Sequence, residues 1–165
     1  MANLGGEPTI AGTDVWLTPP ELLAKLGKFD LDPCAPLDRP WDTATNHFTI
    51  DDDGLKQDWQ GRVWLNPPYG RGMERWLEKL ANHAGGGLAL VFARTETKTF
   101  FDTVWGRADA ILFIKGRIRF HLPNGERAGT AGSPSVLIAY GEAEKQLLRT
   151  VEIDGFFVDL KRNKQ

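Results

Sequence analysis

Cysteine, histidine and long apolar runs are the scarce features of this chain of 165 residues. Its single cysteine excludes an intramolecular disulfide, and only three histidines beside it argue against a structural zinc site. No apolar stretch approaches the roughly 20 residues that a membrane-spanning helix needs, and the first residues carry no basic-then-apolar targeting signal. Bulk positive charge is missing too: 20 Lys and Arg stand against 22 Asp and Glu, a net charge of −2, which disfavours coating of nucleic acid by charge alone. There is no internal repeat and no low-complexity tract. What is present is a globular balance, 41% hydrophobic and 25% charged, in a length that suits one domain with a real core. The expectation is a soluble, cytoplasmic single domain without a metal.

The near-zero charge conceals a split. Residues 1–60 hold 4 basic and 11 acidic side chains, net −7, whereas residues 61–127 hold 11 basic and 6 acidic, net +5. Solvated charges can distribute this way by chance; two rims meeting partners of opposite sign would produce the same pattern.

Residues 1–13 are small, glycine-rich and unpatterned and read as a flexible start, followed by one domain over 14–160 and a tail at 161–165. Thr18-Pro19-Pro20-Glu21 has capping-box spacing, with Thr18 as N-cap of a short helix through Leu22, Leu23 and Leu26 that stops at Gly27. A brief strand at 28–32 follows, then an aperiodic stretch over 36–61 that reads mostly as loop. A strand at 62–65 precedes a helix near 71–83, with Met73, Trp76, Leu77 and Leu80 at helical spacing. Strands at 88–93 and 110–114 flank a helix at about 97–105. Residues 117–122 and 134–140 read as two strands of a hairpin joined by the loop 123–133, and 142–149 as a last helix. Strand–helix alternation closed by an antiparallel hairpin predicts an α/β fold with a mostly parallel, doubly wound sheet.

The strongest chemical signal is Asn66-Pro67-Pro68-Tyr69 directly after a strand. It suits methylation of an exocyclic amine, whose lone pair is delocalised into its ring. Two acceptors aimed at the amine hydrogens favour a pyramidal, nucleophilic nitrogen; Asn66 can supply a side-chain oxygen and Pro67 a backbone carbonyl. The prolines fix their own φ, and Pro67 restricts Asn66 to extended conformations, so the acceptors are preorganised. Tyr69 offers a flat face for an extruded base. The plainer reading is an Asn-Pro-Pro turn closing a strand with Tyr69 as filler, but a strand's carboxyl end is where open α/β sheets bind ligands.

Carboxylates cluster upstream. Asp32 ends the expected first strand, before Pro33 and Cys34, and Asp58 precedes the catalytic strand; such groups suit a cationic cofactor carrying ribose hydroxyls and an amino group, as S-adenosylmethionine does. Asp51, Asp52 and Asp53 read more simply as a solvated turn, and Cys34 as small buried filler. Basic residues follow: Arg71 beside the Asn-Pro-Pro-Tyr segment, Arg94 after the 88–93 strand, and Lys115, Arg117 and Arg119 entering the hairpin. Alternation puts Arg117 and Arg119 on one face and Ile118 and Phe120 on the other. They suit contacts to DNA phosphates, or else an ordinary half-exposed strand. His47, His83 and His121 show no metal-ligand spacing.

Taken together, Trp16-Leu17-Thr18-Pro19-Pro20-Glu21-Leu22, residues 29–35, Gly54-Leu55 through Trp59, residues 63–70 and residues 115–120 resemble the phage-type DNA N6-adenine methyltransferases of the Dam-like branch, over roughly residues 14–141. The resemblance implies a Rossmann-like methyltransferase domain, S-adenosylmethionine as methyl donor, adenine in DNA as acceptor, and a phage or prophage origin with action in the host cytoplasm. It implies that Thr18 and Pro19 sit over the cofactor, that Asp32 and Pro33 border its methionine part, that Trp16, Cys34 and Asp58 are also among the cofactor-binding residues, and that residues 66–69 hold the base. The chain departs from many methyltransferases in having Pro33-Cys34-Ala35-Pro36 where a glycine-rich turn is usual. It also has no inserted segment large enough for a separate target-recognition domain, so any sequence preference falls to short loops such as 36–50 and 123–133. The same Asn-Pro-Pro-Tyr chemistry also fits cytosine N4, an RNA base or a protein glutamine, and an inert nucleic-acid-binding module could retain the fold.

Overall fold

The computed structural model describes residues 15–161. The flexible start expected at 1–13 lies outside the described residues, as does the expected tail apart from Lys161. In chain order the elements begin with helix α1 (Pro20–Leu26), strands β1 (Leu31–Asp32), β2 (Asn46–His47) and β3 (Val63–Leu65), and helix α2 (Met73–Asn82). Strand β4 (Gly87–Phe92) and helix α3 (Lys98–Phe100) follow, the helix running on as a π-helical turn, Phe101–Trp105. The chain then forms β5 (Ala110–Ile114), β6 (Arg119–His121), β7 (Arg127–Thr130), β8 (Ser135–Tyr140), α4 (Glu142–Thr150) and β9 (Gly155–Asp159).

Seven strands make one sheet in the order β2-β1-β3-β4-β8-β5-β9, and β6 and β7 form a separate antiparallel hairpin. β2, β1, β3 and β4 are mutually parallel; β8 lies antiparallel between β4 and β5, and β9 lies antiparallel beside β5. β1, β3, β4 and β5 therefore end at the same edge of the sheet, where Asp32, Asn66, Arg94 and Lys115 leave their strands. Period-two side-chain alternation divides the core into two layers. Trp64, Leu88, Leu90, Leu137 and Leu112 face α1, α4 and the hairpin. Val63, Leu65, Val91, Ile138 and Ile111 face α2 and α3. Each fully buried Leu or Ile contributes about 1.5–3 kcal/mol, and coverage of both faces explains why β4 and β8 read as unbroken apolar runs.

Three expectations need correction. Thr18 is not the N-cap of α1: that position is Pro19, whose carbonyl accepts from Leu22 N (3.0 Å) and Leu23 N (3.2 Å). Two successive prolines set φ for the first turn without a side-chain cap, and Thr18 is left buried and turned inward. The hairpin exists, but β6 pairs with β7, inside the expected loop, and not with 134–140. β8 is buried along its whole length, which requires a central position, whereas β7 exposes Arg127, Gly129 and Thr130 and covers β6 with Ala128. Finally, β2 and β9 form within stretches that show no clear strand pattern; β2 is a polar Asn-His pair recruited by the open edge of β1.

Candidate active site

β3 ends at Leu65 because two successive prolines cannot donate to a sheet ladder. The chain leaves the sheet extended, and Asn66 stays buried. Its Nδ2 donates to Thr18 Oγ1 (3.3 Å), and the Cys34 thiol donates to its backbone oxygen (3.3 Å). Residues from two distant segments thus hold Asn66, one at its side chain and one at its backbone. Asp32, also buried, accepts from Cys34 N (3.1 Å) and from the Thr43 hydroxyl (2.5 Å); burial raises its carboxyl above the usual value. Burial likewise pushes the Cys34 thiol up to about 12, so it acts as a neutral donor.

Asn66, Pro68 and Tyr69 each border a different cavity. Asn66 opens on a narrow cleft of about 20 Å³ shared with Trp16, Thr18, Asp32, Trp41 and Trp64. Trp64 is fully buried, and its indole N–H has no hydrogen-bond partner among the described residues. Pro68 borders a largely apolar cavity of about 390 Å³ with Pro33, Cys34, Ile50, Asp53 and Trp76. Cys34 lines both. Gly54 is required at that wall, because a Cβ there would run into the Pro33 carbonyl oxygen.

Tyr69 stacks on Phe92, with centroids 4.4 Å apart and planes 9° apart, and donates to Leu90 O (3.1 Å). Burial raises its phenol, so it is no base at neutral pH, and Phe92 covers one of its faces. The pair lines a third cavity of about 360 Å³ with Met73, Arg94 and Thr99.

The loop at 36–47 forms a wall of the cleft. His47 Nε2 accepts from Thr43 N and Ala44 N, both at 3.3 Å, which presents the Thr43 hydroxyl to Asp32. Burial, with Arg39 beside it, lowers the His47 pKa and keeps the ring a neutral acceptor. In its middle, at Pro40 and Trp41, the loop meets the β6–β7 turn, where Gly125 takes φ +87° and a Cβ would lie 3.3 Å from Pro40.

The structure brings Trp16, Thr18, Asp32, Cys34 and Asn66 to one cleft and Pro33 to its neighbour. Pro19 instead borders a separate groove of about 510 Å³, and exposed Asp58 borders none of these cavities. Arg71, Arg94, Lys115, Arg117 and Arg119 are all exposed, and Ile118 and Phe120 are buried between them as alternation requires. Arg94 lies by the Tyr69 cavity and pairs with Glu96 (3.3 Å), whereas Lys115 and Arg119 line the groove with Lys25, Arg127, Glu152 and Asp154. Sequence reasoning missed Trp41, Trp64, Ile50 and Trp76 as lining residues; Asp53 sits in an exposed turn, as expected, and also borders the apolar cavity. Only the tryptophan-rich setting of Asp32 and Asn66 hinted at the first two. Among the described residues no group of three His, Cys, Asp or Glu could hold a metal, and no helix is long and apolar enough to cross a membrane.

A family model described as DNA N-6-adenine-methyltransferase (Dam) matches residues 8–153. No curated protein and no solved structure matches the chain.

Proposed function

The chain belongs to the DNA N-6-adenine-methyltransferase family, and from that premise we propose that it transfers the methyl group of S-adenosylmethionine to N6 of an adenine extruded from DNA. The observation that carries this reading is the Asn66 amide, held by Thr18 and Cys34 at the carboxyl end of a central strand, beside a buried carboxylate and an apolar cavity. The sheet order, with one antiparallel strand between β4 and β5, supports a Rossmann-like methyltransferase domain.

The residues present fit the cofactor. The apolar cavity walled by Pro33, Ile50 and Trp76 suits adenosine, with Asp53 at hand for ribose hydroxyls. Asp32 offers negative charge to the ammonium, and the unpartnered Trp64 N–H offers a donor. When bound, S-adenosylmethionine supplies an electrophilic methyl on a cationic sulfur.

Asn66 and the Pro67 carbonyl accept the two N6 hydrogens and localise the nitrogen lone pair. N6 so prepared would be presented to the methyl group that the cofactor supplies, with the thioether as leaving group and the excess proton passing to water. No side chain need act as base, consistent with a neutral Cys34 and a raised Tyr69 phenol. Much of the rate comes from positioning, since rigid near-attack geometry replaces a bimolecular encounter. Arg71, Arg94, Lys115, Arg117 and Arg119 contact phosphates around the extruded base.

The test is to incubate the protein with mixed-sequence DNA and S-adenosylmethionine, digest the DNA to nucleosides and weigh them. N6-methyladenosine in its deoxy form is expected; N4-methylcytosine, or no methylated nucleoside, would refute the reading.

A further inference from the structure

The narrow cleft beside Asn66 is lined by residues of opposite character, among them Asp32, Arg39 and Trp64. Trp64 is fully buried, yet its Nε1–H meets no acceptor among the described residues. Native proteins rarely leave a buried donor unpaired, and an orphan in the wall of a binding cleft points to an acceptor that arrives with a ligand. Arg39, which lines the cleft, is tethered to Asp42 through Nε (3.1 Å) and to the Pro36 carbonyl through Nη1 (3.4 Å). Asp32 already accepts from Cys34 N and Thr43. The apolar cavity that shares Cys34 with this cleft suits the apolar body of a ligand whose end is zwitterionic.

We propose that Trp64 and Arg39 bind the α-carboxylate of the methionyl end of S-adenosylmethionine, with Asp32 facing its ammonium. This rests on the cofactor reading above and adds residues to which neither sequence nor family had given a role. An indole N–H and a guanidinium both donate only, so they select for a carboxylate and gain nothing from a ligand that lacks one.

The experiment compares two ligands by calorimetry: S-adenosylmethionine and decarboxylated S-adenosylmethionine, which keeps the adenosine, the sulfonium and the amine. The unaltered protein is expected to prefer the former by about 10- to 100-fold, the range for hydrogen bonds to a charged group. Arg39→Gln, at a partly exposed site, should weaken S-adenosylmethionine by about 10-fold while changing the decarboxylated ligand no more than roughly twofold. Trp64→Phe should act in the same direction, once circular dichroism shows it folded. Equal weakening of both ligands by Arg39→Gln, no weakening of either, or no preference in the unaltered protein would overturn the inference. Failure of the unaltered protein to bind either ligand would overturn the cofactor reading, and this inference with it.

Discussion

Asn66 owes its position to residues far away in sequence. Thr18 holds its side chain and Cys34 its backbone oxygen, so the amide is fixed before any substrate arrives. Asn66→Ala should therefore lower methyl transfer by at least about 100-fold, the scale for loss of one preorganised hydrogen-bonding group. The melting temperature and S-adenosylmethionine affinity should stay near those of the unaltered protein; near-native turnover in a single-turnover assay would remove Asn66 from the chemistry. Cys34 tests the same locality from the other side. With its thiol pushed up to about 12, only about one molecule in 10⁴ carries a thiolate at pH 8. Alkylation by iodoacetamide should be at least about 100-fold slower in the folded protein than in urea. Folding holds this thiol protonated, so its contribution to stability is intact below the ordinary value of 9.0 and is lost as the pH rises toward about 12. An alkaline unfolding curve shared by the unaltered protein and Cys34→Ala would contradict that sign.

At the scale of elements, Arg62 joins four pieces of chain at the amino end of β3. It forks onto Glu144 of α4 (Nε 2.5 Å, Nη2 2.8 Å), donates to Leu26 O and Lys28 O (both 2.9 Å) and lies 4.0 Å from the Phe29 ring centroid. Glu144 is only 4% exposed, and removing one member of a buried pair leaves the other charge uncompensated. Glu144→Ala should thus cost about 3 kcal/mol in urea unfolding, with N6-methylation of DNA retained per folded molecule. Neither residue stood out in the sequence, because nothing local signals a contact across 82 positions. The sheet elements with strong apolar periodicity, β3, β4 and β5, were legible, as was the α2 stripe of Leu77 and Leu80. The pairing of β8 was not. An apolar run next to a turn-rich stretch looks like the return strand of a hairpin, and only the long-range competition for the gap between β4 and β5 decides otherwise. The candidate catalytic segment stood out in the sequence because Asn-Pro-Pro-Tyr would carry its chemistry in consecutive residues. The lining by Ile50, Trp76 and Trp64 was not, since it arises where a loop, a helix and a strand converge.

For the whole molecule, the opposed charges of the two parts of the chain acquire positions. The acidic part supplies Asp32 and Asp53 to the cavities that suit a cationic cofactor, and the basic part exposes Arg71, Arg94, Arg117 and Arg119 along the edge where strands end. A weakly negative protein can then hold DNA with a local field. If Arg117 and Arg119 touch phosphates, replacing both with Ala should weaken DNA binding uniformly across sequences and flatten the slope of log K against log salt by about 1–2; an unchanged slope would return them to solvent. Sequence preference has fewer resources. Among the described residues no second unit stands apart from the sheet and its covering layers, which leaves short segments such as the 36–47 loop, the β6–β7 turn and the mixed-charge groove of Lys25, Arg119, Arg127 and Glu152 as candidates for contacting base edges. A groove carrying both signs can hold a phosphate on Arg119 and still read donors and acceptors on one or two base pairs. Each correct base contributes about 1–3 kcal/mol of discrimination. Mapping methylated adenines on mixed-sequence DNA should therefore reveal a context of only one to three positions around the target, and Arg127→Ala should relax it further without abolishing methylation. A long, strictly required site would mean that recognition is built some other way.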